Sequence, residues 1–267
     1  MKSRFKALPL VALGAAVLAC TGCQSMPGYP KQQSEVVRPD EVLDFGTLYK
    51  QNCSGCHGEN GRDGAALPLN NAAYLAVAGV NNLRTITANG VHGTLMPAFA
   101  RSSGGILTDQ QIDVLVQGMM RVWSRPAEFS GVTLPPYAGS SSGNTAEGHN
   151  TFVAACSRCH GVDGLGIKPP ANGKPAQQGA SPDSIVDPSY LALVSDQSLR
   201  SLVIAGRPDQ NVPDWRGYMT GPGAHALTPQ EIDNIVAWLA AHRAPSSEQP
   251  TSDTSSKTPS ATGKEIK

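Results

Sequence analysis

The sequence predicts an all-α protein built from two small helical domains in tandem, and three observations predict it. The pentapeptide Cys-x-x-Cys-His occurs twice, as CSGCH at 53–57 and CSRCH at 156–160, each followed at once by Gly. The chain downstream of each copy repeats itself. The segments that open and close each repeat carry apolar residues at helical spacing.

The elements follow in order. A first helix is expected over Val42–Cys53, with Phe45, Leu48 and Tyr49 on one face, and its counterpart over Thr145–Cys156, with Phe152 and Val153. Loop-rich chain follows, then a short helix beginning near Leu83 or Leu199. A closing helix starts at LTDQQID (107–113) or LTPQEID (227–233). There Thr108 and Thr228 suit the N-cap and Pro229 suits the first helical position. Ile112, Leu115, Val116 and Met119 form an apolar stripe, matched by Ile232, Ile235, Val236 and Leu239. The two copies are offset by 103 positions at the cysteines and by 116 from Tyr74-Leu75-Ala76 (Tyr190-Leu191-Ala192) through Leu83-Arg84, Gly90 and Pro97. The offset is 120 in the closing helix, so the second copy carries insertions after its pentapeptide and again near Arg216–His225.

Composition bounds the rest. The 267 residues are 40% hydrophobic and 16% charged with zero formal net charge, which argues against nucleic-acid binding through a basic surface. The N-terminus reads as an export signal, with basic MKSRFK before a short apolar run at 7–19 and small residues before Cys20 and Cys23. That run is too short for a good membrane span. Lys2, Arg4 and Lys6 leave with residues 1–22, so the mature chain is net acidic. The expected organisation is a signal at 1–22, a proline-rich tether at 23–40, domains at 41–123 and 145–244, a linker at 124–144 and a disordered tail at 245–267. The linker reads as an exposed connector in which Phe129, Leu134 and Tyr137 can pack against a domain.

Of six cysteines, Cys20 and Cys23 sit in the signal region and the other four form the two pairs, leaving none for a disulfide framework. Two thiols three residues apart on a helical turn reach both vinyl groups of a haem. The His directly after the second thiol presents its imidazole to the iron. A redox dithiol and half of a zinc site are the competing readings. A redox pair needs neither the His nor a second copy, and a four-thiolate zinc site would require the pairs to converge. Haem c at Cys53, Cys56 and Cys156, Cys159, two groups in all, is the preferred cofactor, with His57 and His160 as iron ligands.

With these motifs, both repeats resemble class I c-type cytochrome domains, over about 41–123 and 145–243. The resemblance implies small helical domains, each wrapped around a covalent haem whose apolar macrocycle supplements a small core. It also implies a proline carbonyl accepting the ring N–H of each proximal His, from Pro68 and from Pro169 or Pro170. The usual distal ligand is a Met before Pro, which Met96 in TLMPAF matches. In the second repeat QNVPDW puts Val212 opposite Met96, and valine cannot ligate iron. Met219, in a longer loop, is the leading substitute; His225 or an open site are the alternatives. His92, His149 and His242 read as solvated or structural. The signal resembles that of bacterial lipoproteins, with Cys23 (or Cys20) lipidated.

The expected function is single-electron transfer on the periplasmic side of a membrane, from a lipid-anchored position. The donor would be a quinol-oxidising complex or dehydrogenase, and the acceptor an oxidase or soluble cytochrome. Alternatives are a haem enzyme or gas-binding protein using an open second site, and a fixed haem-bearing subunit of a larger respiratory complex.

Overall fold

The computed structural model describes residues 37–139, 143–168, 181 and 183–244. The expected signal, both of its cysteines, the tether up to residue 36, Pro169, Pro170 and the tail lie outside the described residues. The described residues before Leu43 belong to a unit of their own. They hold one turn, Pro39–Glu41, in which Arg38 and Glu41 pair through their side chains.

From Leu43 onward every regular element among the described residues is helical. Helix α1 (Phe45–Asn52) starts at Phe45, three residues later than expected, because Asp44 takes the N-cap and accepts from Thr47 N–H (2.7 Å). The chain breaks helical geometry at Cys53 (φ −120°) and resumes as α2 (Ser54–His57). Helix α3 (Ala72–Asn89) is capped by Asn71 and kinked at Gly79 (φ +62°), so it begins well before Leu83. Helix α4 (Asp109–Trp123) opens with a reciprocal capping box between Thr108 and Gln111.

The second copy repeats the order. Helix α5 (Thr145–Ala155) is capped by Asn144, and α6 (Ser157–His160) follows the same break at Cys156. Helices α7 (Pro188–Ala192) and α8 (Asp196–Ala205) stand where the two arms of kinked α3 stand, with Ser195 at the place of Gly79. Helix α9 (Pro229–Ala240) carries the second box, Thr228 with Glu231.

In each repeat the opening helix crosses the closing helix, and both predicted stripes are buried there. The crossing needs a close approach, and the two copies make it with opposite chemistry. In the first, Gly118 of α4 faces the Phe45 ring; a Cβ on Gly118 would lie 2.1 Å from it. In the second, Gly148 of α5 faces α9; a Cβ there would lie 2.0 Å from the Asn234 carbonyl oxygen and 2.8 Å from Trp238 Cβ. By the repeat offsets, Phe45 corresponds to Gly148 and Gly118 to Trp238. The large and small partners have changed helices while the fit is kept.

The connector is mostly exposed, and Phe129 and Tyr137 pack as expected. Phe129 is buried and stacks on Trp215 (centroids 6.1 Å, 13°), with the Arg216 guanidinium over both rings. Arg200, only 2% exposed, pairs with Asp233. It also donates to the carbonyls of Pro136 (3.0 Å) and Tyr137 (3.1 Å), and Gln197 donates to Tyr137 as well (2.9 Å). The first repeat has the matching ion pair, Arg84 with Asp113 (2.8 Å), but partly exposed and shared with Asp109 (3.5 Å).

Candidate haem-attachment sites

Each site begins where the opening helix ends. The break at Cys53 or Cys156 starts a new short turn that carries the second Cys and the His. The glycine after the His closes that turn with a left-handed backbone, φ +80° at Gly58 and +75° at Gly161. A Cβ at Gly58 would meet the Arg62 carbonyl oxygen at 1.8 Å where the loop folds back; at Gly161 the nearest atom is 3.1 Å away, and the positive φ shared by both is what favours glycine in each copy.

In the first site His57 is 9% exposed, and its Nδ1–H donates to the Leu67 carbonyl (2.7 Å). That leaves Nε2 as the ring's lone-pair nitrogen. The acceptor is Leu67, not the expected Pro68. Ala66 N–H bonds to the Cys56 carbonyl (3.0 Å) and Asn70 N–H to the Gly61 carbonyl (2.9 Å), and this register brings the Leu67 carbonyl to the ring. Burial holds the imidazole's proton affinity down against the opposing pull of that carbonyl, so the ring is kept neutral, the form that ligates iron. In the second site burial also lowers His160, and its Nδ1 is a buried polar atom without a partner among the described residues. The two prolines expected to serve it lie outside those residues.

Burial pushes Cys53 and Cys156 up to about 12 each, the neighbouring Cys56 and Cys159 adding to the effect. Reactive dithiols and zinc-binding thiolates need the reverse, a thiol made more acidic. No group of three or more His, Cys, Asp or Glu that could hold a metal ion occurs among the described residues. All four cysteines of the two pairs are free. Two thiols one turn apart beside an imidazole, with Nδ1 of His57 fixed and its Nε2 free, fit thioether-linked haem.

The loops carrying Met96 and Val212 make matching backbone bonds. After α3, Val91 N–H donates to the Met96 carbonyl (3.0 Å), and Thr94 Oγ1 accepts from Met96 N–H (3.2 Å). After α8, Arg207 N–H donates to the Val212 carbonyl (3.0 Å), so Val212 holds the backbone place of Met96. Met219 is half-buried in the following loop, next to Tyr218. The Tyr218 hydroxyl is held protonated by burial first, and then by the nearby Cys156 and Asp214, so this loop runs beside a thiol of the second pair. His225 is exposed with both ring nitrogens engaged, Nδ1 with the Gly223 carbonyl (3.0 Å) and Nε2 with Glu231 (3.1 Å). His149 and His242 donate to backbone carbonyls of Val162 (3.1 Å) and Trp238 (2.8 Å), and His92 is exposed.

Sequence reasoning passed over Arg200 and Asn71. The repeated Leu-Arg and Ile-Asp dipeptides were a visible signal for the Arg200–Asp233 pair. Nothing local marks Asn71.

The Cytochrome c family matches residues 145–243, and the family described as Cytochrome C oxidase, cbb3-type, subunit III matches residues 41–117. A curated relative, the Cbb3-type cytochrome c oxidase subunit FixPc of Rhizobium leguminosarum bv. viciae, is 26% identical over 202 residues. That alignment takes in 72% of this chain and 60% of the relative, so the chain spans less than two thirds of the relative's length. Among solved structures, a chain of the Kuenenia stuttgartiensis reducing HAO-like protein complex aligns over 77% of this chain and 99% of its own, at 18% identity and a TM-score of 0.39. No helix among the described residues is long and apolar enough to cross a membrane.

Proposed function

We propose that the chain is a dihaem c-type cytochrome with two covalent haem c groups, passing single electrons from a membrane-associated donor to a respiratory acceptor; the matches to two cytochrome c-type families support this. A quinol-oxidising complex or dehydrogenase is the donor class, and a cbb3-type oxidase or soluble cytochrome the acceptor class. The single observation that carries the reading is the pair of CxxCH turns, built alike after the breaks at Cys53 and Cys156, with the His57 ring held by the Leu67 carbonyl (2.7 Å). The likeness of residues 41–117 to a cbb3-type oxidase subunit supports an oxidase as acceptor.

Haem c, when bound, supplies a one-electron ferric/ferrous couple. The protein's residues do the rest. Cys53 with Cys56, and Cys156 with Cys159, hold the group covalently, so it survives export. His57 and His160 ligate iron. The Leu67 carbonyl orients the first imidazole and raises its basicity. Met96 offers a thioether, which favours the ferrous state and raises the potential. At the second site Met219 takes that role, Val212 being unable to, and the proximity of its neighbour Tyr218 to Cys156 supports it.

The domain limits 41–123 and 145–244 belong to the same reading, as does lipidation at Cys23 (or Cys20) with a flexible tether. An anchored carrier searches a thin layer at the periplasmic face, which raises its effective concentration near membrane partners. The test is reduction of the purified holoprotein by quinol-oxidising membranes and its reoxidation by a cbb3-type oxidase, in both detergent-extracted and tether-cleaved forms. Failure to exchange electrons with either partner would overturn the proposal.

A further inference from the structure

The first domain reaches into the second through one buried side chain. Asn71 is 2% exposed and uses both ends of its amide. Its Oδ1 accepts from Tyr74 N–H (3.0 Å) and so caps α3 of the first domain. Its Nδ2 donates to the carbonyls of Ala205 (3.0 Å) and Gly206 (3.3 Å), at the C-terminus of α8 in the second. Those carbonyls open the stretch that continues to Arg207–Val212, the loop where Val212 replaces the methionine. Gly206 is tightly seated, since a Cβ on it would lie 2.0 Å from the Pro213 carbonyl oxygen. A shift at Gly206 therefore passes directly to residues 212–213.

The position matching Asn71 in the second repeat is Asp187, which caps α7 by accepting from Tyr190 N–H (2.8 Å). A carboxylate suffices where only a cap is needed. The amide stands where a donor is needed as well. Two further ties run the same way. Tyr74 of the first domain lies near enough to Tyr137 for the two hydroxyls to influence each other's protons, and the Tyr137 carbonyl accepts from Gln197 of α8 (2.9 Å). Asp209 of the second domain's loop is held charged chiefly by Arg207 (2.9 Å), and Arg62, in the loop behind His57, adds a small pull from the first domain.

We infer that Asn71 is a positioning residue for the second haem site, so that the first domain sets the geometry of the second site's distal loop. The inference rests on the reading that residues 207–219 face the second haem.

The test uses the full-length holoprotein and the variants Asn71→Asp, Asn71→Ser, Asp187→Asn and Met219→Ala. Asp and Ser keep an N-cap acceptor; Asp turns an oxygen toward two carbonyls, and Ser is too short to reach them. Redox titration of each haem and CO-binding amplitude are read, with thermal unfolding as the readout independent of the haems. Asn71→Asp is expected to shift the second haem's potential and raise its CO-binding amplitude several-fold, leaving the first haem unchanged. It is also expected to split unfolding into two transitions. Asn71→Ser does the same more weakly and carries the test if Asn71→Asp does not accumulate, while Asp187→Asn leaves all readouts at parent values. A change confined to the first haem, or no change in either Asn71 variant, overturns the inference. A response to Met219→Ala with none to the Asn71 variants removes the role of Asn71 and leaves the proposed function standing.

Discussion

Replacing Gly148 by Ala tests the account of the helix crossing. In an unobstructed helix this substitution gains about 0.5–1 kcal/mol, because glycine loses more backbone entropy on folding. Here the new methyl group would sit 2.0 Å from the Asn234 carbonyl oxygen and 2.6 Å from its carbon, both backbone atoms with no rotamer to change. Helices α5 and α9 must separate, and overpacking of this kind costs about 1–3 kcal/mol or more. A net loss of about 2 kcal/mol is expected, which for a domain of this size lowers the midpoint by about 8–16 °C. Gly118→Ala meets instead the half-buried Phe45 ring at 2.1 Å, a side chain that can swing outward, so its net cost is about 1 kcal/mol or less. In a Phe45→Ala background the obstruction is gone and Gly118→Ala becomes stabilising by up to about 1 kcal/mol. Thermal and urea unfolding of the holoproteins, followed by far-ultraviolet circular dichroism, measures all of these. A Gly148→Ala protein as stable as its parent, or a Gly118→Ala cost unchanged by Phe45→Ala, would refute the reasoning.

Four further outcomes are expected. Arg200→Met leaves Asp233 buried without its partner and frees the connector carbonyls, a loss of about 3–5 kcal/mol in urea unfolding. The matching Arg84→Met, at a partly exposed pair, costs about 0–1 kcal/mol. Met96→Ala removes the weak far-red sulfur–iron band from the first haem and lowers its potential, as redox-titrated spectroscopy will read. His225 is raised by the Gly223 carbonyl and then by Glu231, so its pair stabilises the fold fully below the unfolded value near 6.5 and loses that effect as pH rises through the raised one. The midpoint difference between parent and His225→Ala, measured across pH 5–9, therefore shrinks with rising pH; a difference that grows contradicts the sign.

Much of this was legible in the residues because it is local or periodic. The Thr108 and Thr228 caps need only a reading of three residues ahead, and the two apolar stripes need only period 3.6. The absence of a methionine at Val212 was plain once the copies were aligned, and the matching backbone bonds to Met96 and Val212 confirm that alignment. Long-range features were not legible. The carbonyl that serves His57 depends on how loop 58–70 folds back, so it proved to be Leu67 rather than Pro68. That Phe129 and Tyr137 of the connector could pack was legible, but not that Arg200, distant in sequence, would donate to the Pro136 and Tyr137 carbonyls. Asn71 looks like an ordinary cap until Ala205 and Gly206 arrive from the other domain. The exchange of Phe45 and Gly118 for Gly148 and Trp238 sits in the aligned sequence, yet it acquires meaning only when the helices are seen to cross.

The most direct measurement is the intact mass of the natively matured protein beside its Cys53→Ser/Cys56→Ser and Cys156→Ser/Cys159→Ser variants. The account predicts a gain equal to two haem groups in the parent and one in each variant, stable to denaturation. A parent carrying none or one, or a variant that still carries two, would contradict it.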